Sequence, residues 1–404
     1  MIVDFELDDE QRDLQERART FAYEELIPAS LEADRQVDPA DCYRPDLIKR
    51  VDELGLRTMG LPREFGGLDA NCVTQVAVLE ELCAGDVGFG MSLQHCWREG
   101  RALAVHVTPE QRERFLPDFI NDPTYMTSMG NTEGHWGNDS GGHSDDPKDG
   151  PRTTAVLEGD EWVINGGKRW ITNSNIGRIV FLLVRTDTTV PWRKGISTIL
   201  VPTDTPGYRI GRVEDKLGIR MNQNAEIILE NCRVPKDNLA SPLNGGSAYR
   251  SKISPGSRVK TATKALGVAR AAYEEALAYA NERVQGGKVI IRHQAVAEEL
   301  VEMEMAIEST RALIYRTARM VDQGVSGVSR FEAMSKAKAA EVAAYVATAA
   351  TEMHGANGIS RDRRISKLMR DAITCMHIGI SGHAAKDLLG QTLADRKHLT
   401  GQSL

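Results

Sequence analysis

The hydrophobic period of this chain changes twice, and that constrains the fold more than any other feature. From Asp8 to about Phe119 apolar residues recur at helical spacing, with Leu14, Ala18, Phe21, Ala22 and Leu26 on one face behind an acidic start. Pro28 is expected to end that first helix. Gly60-Leu61-Pro62 to Gly66-Gly67 reads as a loop, and helices resume through Leu79 to Leu82. Between about Met126 and Pro235 the period shortens. Trp162 to Ile164, Ile179 to Val184, Ile196 to Val201 and Ala225 to Leu229 are short aliphatic or β-branched runs separated by Gly-Asp, Asn-Gly-Gly and Pro-Gly. These predict an antiparallel sheet. After Gly256 the helical period returns, with Val296, Leu300, Met303, Ile307, Ile314, Ala318 and Val321 on one stripe, followed by an alanine-rich helix over Glu332–Met353. The order predicts an α+β chain: an N-terminal helical domain over 1–125, a middle β-domain over 126–240 and a C-terminal helical bundle over 241–404.

A chain of 404 residues is long enough for more than one core. A net charge of −7 with no Lys/Arg block argues against nucleic acid as a partner. Met1 to Glu10 is acidic with no basic residue, unlike a secretory or transit segment, and Ile179 to Val184 is far shorter than the ~20 residues of a membrane span. A cytoplasmic protein without membrane insertion is expected. The six cysteines are scattered without metal-ligand or disulfide spacing, so they read as reduced and structural, and no metal site is expected. His135 to Arg152 is a long polar loop with no apolar period.

Local sequences then point to one family. Gly60-Leu61-Pro62-Arg63-Glu64-Phe65-Gly66-Gly67, Thr132-Glu133, Lys168-Arg169-Trp170-Ile171-Thr172-Asn173, Lys216-Leu217-Gly218-Ile219-Arg220 with Cys232-Arg233-Val234-Pro235, Tyr279 to Arg283 with Gly287-Lys288 and Gln294, His354 to Gly358, and Arg370-Asp371-Ala372 stand in order along the chain. Together they resemble the acyl-CoA dehydrogenase family over nearly the whole length. That resemblance implies FAD as cofactor, an acyl-CoA as substrate, an electron-transfer flavoprotein or similar acceptor, and a homo-oligomer, dimer or tetramer. It implies cofactor contacts from Met129, Thr132, Asn138, Trp170, Thr172, Arg283, Gln294, Glu352, Gly355, Ser381 and His383, with Arg283 and Gln294 reaching FAD across a subunit contact. Substrate contacts are implied for Arg258, Ile378 and Gly379. The chain lacks a Gly-x-Gly-x-x-Gly after a strand, so a Rossmann-type site is not expected.

The pattern breaks at the catalytic base. In the family a glutamate follows Arg-Asp-Ala by a fixed interval, and here that position is Gly379; the alternative family position, beside Arg258, is Ser257. Gly286 replaces an aromatic residue, Ser381-x-His383 replaces Thr-x-Gln, Glu352 replaces a glutamine, and the loop after Glu133 is longer than usual. An unusual substrate, branched, cyclic or aromatic, or an altered reaction is expected. His377 lies two residues from the lost base, and histidine is the side chain most often used as a general base, which makes it the candidate. His135, Asp139, His143, Glu133 and Asp86 are the further candidates. Two alternatives to α,β-dehydrogenation stay open: a flavin monooxygenase or non-redox lyase of the same fold, and an FAD- or CoA-binding subunit that relies on a partner's base.

Overall fold

The computed structural model describes residues 6–137 and 144–394. The chain forms two compact units, residues 7–255 and the residues from 256 onward.

The first unit opens with α1 (Asp9–Phe21), started by Asp8, whose carboxylate accepts from the Gln11 N–H at 2.8 Å while the Gln11 side chain accepts from the Asp8 N–H at 3.1 Å. Pro28 does not end this helix. A π-helical stretch, Ala22–Leu26, leads directly into α2 (Ile27–Asp34), and Pro28 sits in the first turn of α2, where its missing N–H costs no ladder bond. After α3 (Pro45–Glu53) comes α4 (Cys72–Gly85), buried along its whole length and capped by Asn71. Asp86 caps α5 (Val87–Val105) through the Phe89 N–H at 2.8 Å and accepts from Ser30 Oγ at 2.7 Å. This candidate base is thus a buried helix cap. The helix α6 (Pro109–Asn121) leads to the sheet.

The sheet holds β1 (Met126–Gly130), β2 (Thr154–Glu158), β3 (Glu161–Thr172), β4 (Gly177–Arg185), β5 (Ile196–Pro202), β6 (Tyr208–Val213) and β7 (Asn224–Pro235), in the order β1-β4-β2-β3-β7-β6 with β5 also on β4. Most pairings are antiparallel, as expected. The exceptions are β1, which runs parallel to β4, and one parallel bridge from β2 to β4, Thr154 to Arg185. A parallel neighbour needs a long crossover, and β2 and β3 supply it between β1 and β4. The Gly-Asp signal falls at Gly159-Asp160, a two-residue hairpin in which Gly159 has φ +62°. The inner face buries Ile164, Val180, Leu182, Ile199, Val201, Ile227 and their neighbours. The helix α7 (Gly246–Ile253) closes this unit.

The second unit is helical: α8 (Ser257–Glu282), α9 (Gln294–Asp322), α10 (Val328–Met353), α11 (Arg364–Cys375) and α12 (Gly382–Ala394). Buried alanines such as Ala265, Ala269, Ala272 and Ala276 on α8, and Ala340, Ala343 and Ala347 on α10, let these two helices pack closely. Between α8 and α9 lies a hairpin of β8 (Val284–Gln285) and β9 (Lys288–Val289), whose turn residues Gly286 and Gly287 have φ +59° and +80°. Both central positions therefore take left-handed backbone, which suits glycine at 286 and 287. Among the described residues no helix is long and apolar enough to cross a membrane, all six cysteines are free and buried, and no His/Cys/Asp/Glu group is placed to hold a metal.

Candidate functional site

In the first unit the site is built around an irregularity in β3. Lys168 and Ile171 both pair with β7, yet Arg169 and Trp170 between them bulge out of register, and Trp170 takes φ +63°. A bulky residue at positive φ is strained, so the surrounding contacts must hold it. They do: Arg169 N–H donates to the Thr132 carbonyl at 2.9 Å, and Asn224 Nδ2 donates to the Trp170 carbonyl at 3.0 Å and to Thr172 Oγ1 at 3.3 Å. Ser128 Oγ donates to the Thr172 carbonyl at 2.6 Å. Thr132, Trp170 and Thr172 are thereby brought together. The indole remains half exposed, with the Arg169 guanidinium 5.3 Å from its ring centroid and Arg169 Nε held by Glu214 at 2.8 Å. Met129, nearly buried, lies on the same β1 that pairs with β4.

Glu133 anchors the loop that carries Thr132. Its carboxylate accepts from Lys168 Nζ at 2.7 Å, from the Arg152 N–H at 2.7 Å and from the Thr153 N–H at 3.1 Å. Burial alone would raise this carboxyl, but the Lys168 charge and these donors outweigh it and hold it below the usual carboxylate range. Glu133 is therefore a fixed anion closing a loop and has no free acceptor role. Further along the loop, Arg185 donates to the carbonyls of Asp149 at 3.1 Å and Val190 at 2.9 Å, and Trp136 meets Trp192 edge to face at 5.1 Å. His135 is exposed, with Nε2 3.3 Å from the Gly150 carbonyl. Asn138, Asp139 and His143 lie outside the described residues.

In the second unit, Lys336 Nζ donates to the Cys375 carbonyl at 2.9 Å and fixes the end of α11, from which the turn Met376–Ile380 emerges. His377 is exposed on that turn, Ile378 is half-buried, and Gly379 has φ +73°. A Cβ at Gly379 would sit 3.3 Å from Thr261 Cγ2, and Thr261 Oγ1 donates to the Ser257 carbonyl at 2.9 Å. Gly379 and Ser257, the two positions at which the resemblance implied a base, both lie by the first turns of α8 beside the half-buried Arg258, and neither carries a carboxylate. Arg283 is exposed at the end of α8, and Gln294 is exposed at the start of α9, where its Nε2 donates to Glu298 at 2.6 Å. Glu352, Gly355 (φ +56°) and His383 are exposed, while Ser381 Oγ accepts from the Ala384 N–H at 3.1 Å and caps α12. His354, between Glu352 and Gly355, stacks on Tyr279 at 4.2 Å.

One carboxylate here was not anticipated. Glu332, buried on the first turns of α10, is pushed up by burial against the pull of Arg258 and of the Arg258 and Val259 N–H groups. The sequence places Glu332 at a helix start, where an acidic residue is ordinarily solvated, so its burial against α8 had no signal.

The exposed indole with two threonine hydroxyls near it suits a planar isoalloxazine with a polar edge. Comparison with known proteins agrees. Models of the acyl-CoA dehydrogenase N-terminal, middle and C-terminal domains match residues 8–122, 129–232 and 244–379. A short-chain specific acyl-CoA dehydrogenase from Clostridium acetobutylicum is 32% identical over 94% of this chain and 97% of its own. Butyryl-CoA dehydrogenase from Megasphaera elsdenii superposes with a TM-score of 0.89 at 28% identity, over 97% of this chain and 100% of the other. A solved chain described with the electron transferring flavoprotein of Acidaminococcus fermentans gives 0.88 at 29% identity, over 98% and 100%. Fold and site define an FAD-dependent oxidoreductase built of helical, β and helical parts. The chain belongs to the acyl-CoA dehydrogenase family.

Proposed function

We propose that this protein catalyses the FAD-dependent α,β-dehydrogenation of an unusual acyl-CoA, branched, cyclic or aromatic, and that His377 takes the α-proton. The observation that carries the reading is the strained Trp170 bulge held against Thr132 and Thr172, a geometry maintained at a cost in backbone energy that leaves the indole half exposed, as contact with a planar partner requires. When bound, FAD supplies the hydride acceptor for the substrate's β-carbon. The chain's own residues do the rest. Thr132 and Thr172 hydrogen-bond the flavin's polar edge, Trp170 and Met129 cover its ring, and Asn138, Glu352, Gly355, Ser381 and His383 complete the cofactor contacts. Arg283 and Gln294, exposed in the monomer, serve the FAD of a neighbouring subunit in a dimer or tetramer. Arg258, Ile378 and Gly379 border the thioester. The domain limits are placed at 125 and 240.

The unusual substrate is inferred from the missing carboxylate at Gly379. With φ +73° and Thr261 close by, a glutamate would be strained on this turn, so the base is taken from elsewhere and the substrate is expected to differ accordingly. His377 is exposed on the same turn, which suits proton exchange with solvent. An electron-transfer flavoprotein is proposed as acceptor. The purified protein should oxidise a branched, cyclic or aromatic acyl-CoA with an artificial electron acceptor under nitrogen as fast as in air. Turnover that requires oxygen and inserts it into the product would establish the monooxygenase reading instead. Thioester consumption without acceptor reduction would establish the non-redox one, and turnover only with an added partner subunit the third.

A further inference from the structure

The first unit contains a cavity of about 440 Å³ that none of the flavin-side residues line. It lies where α3 begins, at the starts of β1 and β4 and the end of β5, among Tyr43, Lys49, Thr124, Asn175, Arg178 and Thr203. Gly177, on its wall, pairs with Met126, whereas Met129 and the Thr132 loop lie at the other end of β1. Its size falls within the range of small-molecule sites, about 300–1,000 Å³.

Its polar groups are complementary to a particular ligand chemistry. Lys49 and Arg178 are cations at the wall, and among the described residues the only ion-pair contact of Arg178 is with Asp122 at 3.9 Å, too long for a hydrogen bond, with the side chain 62% exposed. The guanidinium fork is thus free to take an oxyanion. Tyr43 is pushed up to about 12, first by burial, so at neutral pH its phenol is an O–H donor. Against these donors stands an acceptor that lacks a donor of its own. Asn175 Nδ2 is committed to Gln223 Oε1 at 2.9 Å, but Asn175 Oδ1 is buried and has no partner. A desolvated amide oxygen without a donor is costly, and a turn of the Asn175 amide that presents it to an arriving N–H or O–H would remove that cost. A bare anion satisfies only the cations; a neutral sugar satisfies only Asn175.

We propose that this cavity is a binding site for a small phosphate monoester that also carries a hydrogen-bond donor. The phosphate lies between Lys49 and Arg178, and a hydroxyl or amino group of the same ligand donates to Asn175 Oδ1. Sugar phosphates and nucleoside monophosphates share this chemistry.

The test is calorimetric titration of the full-length, FAD-loaded protein at low ionic strength with inorganic phosphate, glucose 6-phosphate and AMP. At least one monoester should bind about tenfold or more tighter than inorganic phosphate, the equivalent of one added hydrogen bond to a buried acceptor. Preference for glucose 6-phosphate or for AMP identifies the class. The paired substitution Lys49→Gln with Arg178→Gln, on exposed side chains that leave the fold intact, should weaken the monoester about tenfold or more. Asn175→Ala should bring the monoester down to the affinity of inorganic phosphate while leaving phosphate itself unchanged. Two results overturn the proposal: no saturable heat with either monoester up to about 10 mM, or monoester binding that survives the Lys49 and Arg178 replacements, which would place it elsewhere on the protein.

Discussion

Replacing Lys168 by Met tests how the flavin-side loop is held. Lys168 is fully buried and its ammonium is 2.7 Å from Glu133 Oε1, itself nearly inaccessible. Removing one member of such a pair leaves an uncompensated buried charge, a loss of about 3–5 kcal/mol. Two backbone donors, from Arg152 and Thr153, stay on the Glu133 carboxylate, so about 3 kcal/mol is expected. The double change Lys168→Met with Glu133→Gln removes the charge as well and should recover about 2 kcal/mol of that loss. The readout is favourable, because Trp97, Trp136, Trp162, Trp170 and Trp192 all lie in the 7–255 unit, so denaturant unfolding followed by tryptophan fluorescence reports on this unit alone. The pH dependence has a definite sign. The folded Glu133 carboxyl lies below its ordinary value, so its contribution is complete above an unfolded pKa of about 4.3 and is lost as pH falls through the lower folded value. In Lys168→Met the carboxyl loses its counter-ion, takes up a proton more readily, and the gap to the wild type closes at acid pH. A single variant within about 1 kcal/mol of the wild type at neutral pH, or no more damaged than the double, would refute the buried-pair reasoning.

His377→Ala should slow substrate reduction of the flavin about a hundredfold or more with FAD content unchanged, measured by anaerobic stopped flow; a wild-type rate would remove His377 from the mechanism. Arg283→Ala should weaken FAD retention by about 1.5–3 kcal/mol, read by equilibrium dialysis, because a charge-assisted contact to phosphate is lost. Lys336 is depressed to about 8 by burial, so between there and its unfolded value of about 10.4 the unfolded chain binds more protons and stability should rise with pH; that increment should vanish in Lys336→Met, compared with the wild type by thermal unfolding.

The helix–sheet–helix order was legible in the sequence because it rests on long periodic segments such as the Leu300, Met303, Ile307 and Ile314 stripe, which is buried along α9. Three strands gave no such signal. β1, Met-Thr-Ser-Met-Gly, is buried on both faces and so does not alternate; β2 and β6 are half exposed and β6 contains Gly211 and two arginines. Pro28 misled because a π-turn before it absorbs the break that a proline normally forces. Around the site, Lys168, Trp170 and Thr172 were visible as a local motif, but the contacts that make Trp170 take a positive φ come from Thr132 and Asn224, distant in sequence. The absence of a glutamate at Gly379 could be counted from Arg370-Asp371-Ala372; that the same turn is left-handed and faces Thr261 could not. The roles of Asp86 as a cap and Glu332 as a buried partner of α8 depend on tertiary burial, which periodicity does not encode.

The most direct test of the proposed chemistry is a single-turnover experiment with the FAD-loaded protein, mixed anaerobically with straight-chain, branched, cyclic and aromatic acyl-CoA thioesters while flavin absorbance is recorded and product is identified by mass. We expect the flavin to bleach with at least one branched, cyclic or aromatic thioester, forming one equivalent of the 2-enoyl-CoA per flavin. Thioester consumption without bleaching, or a product that is not two hydrogens lighter than its substrate, would contradict dehydrogenation by a family member that lacks a carboxylate at Gly379.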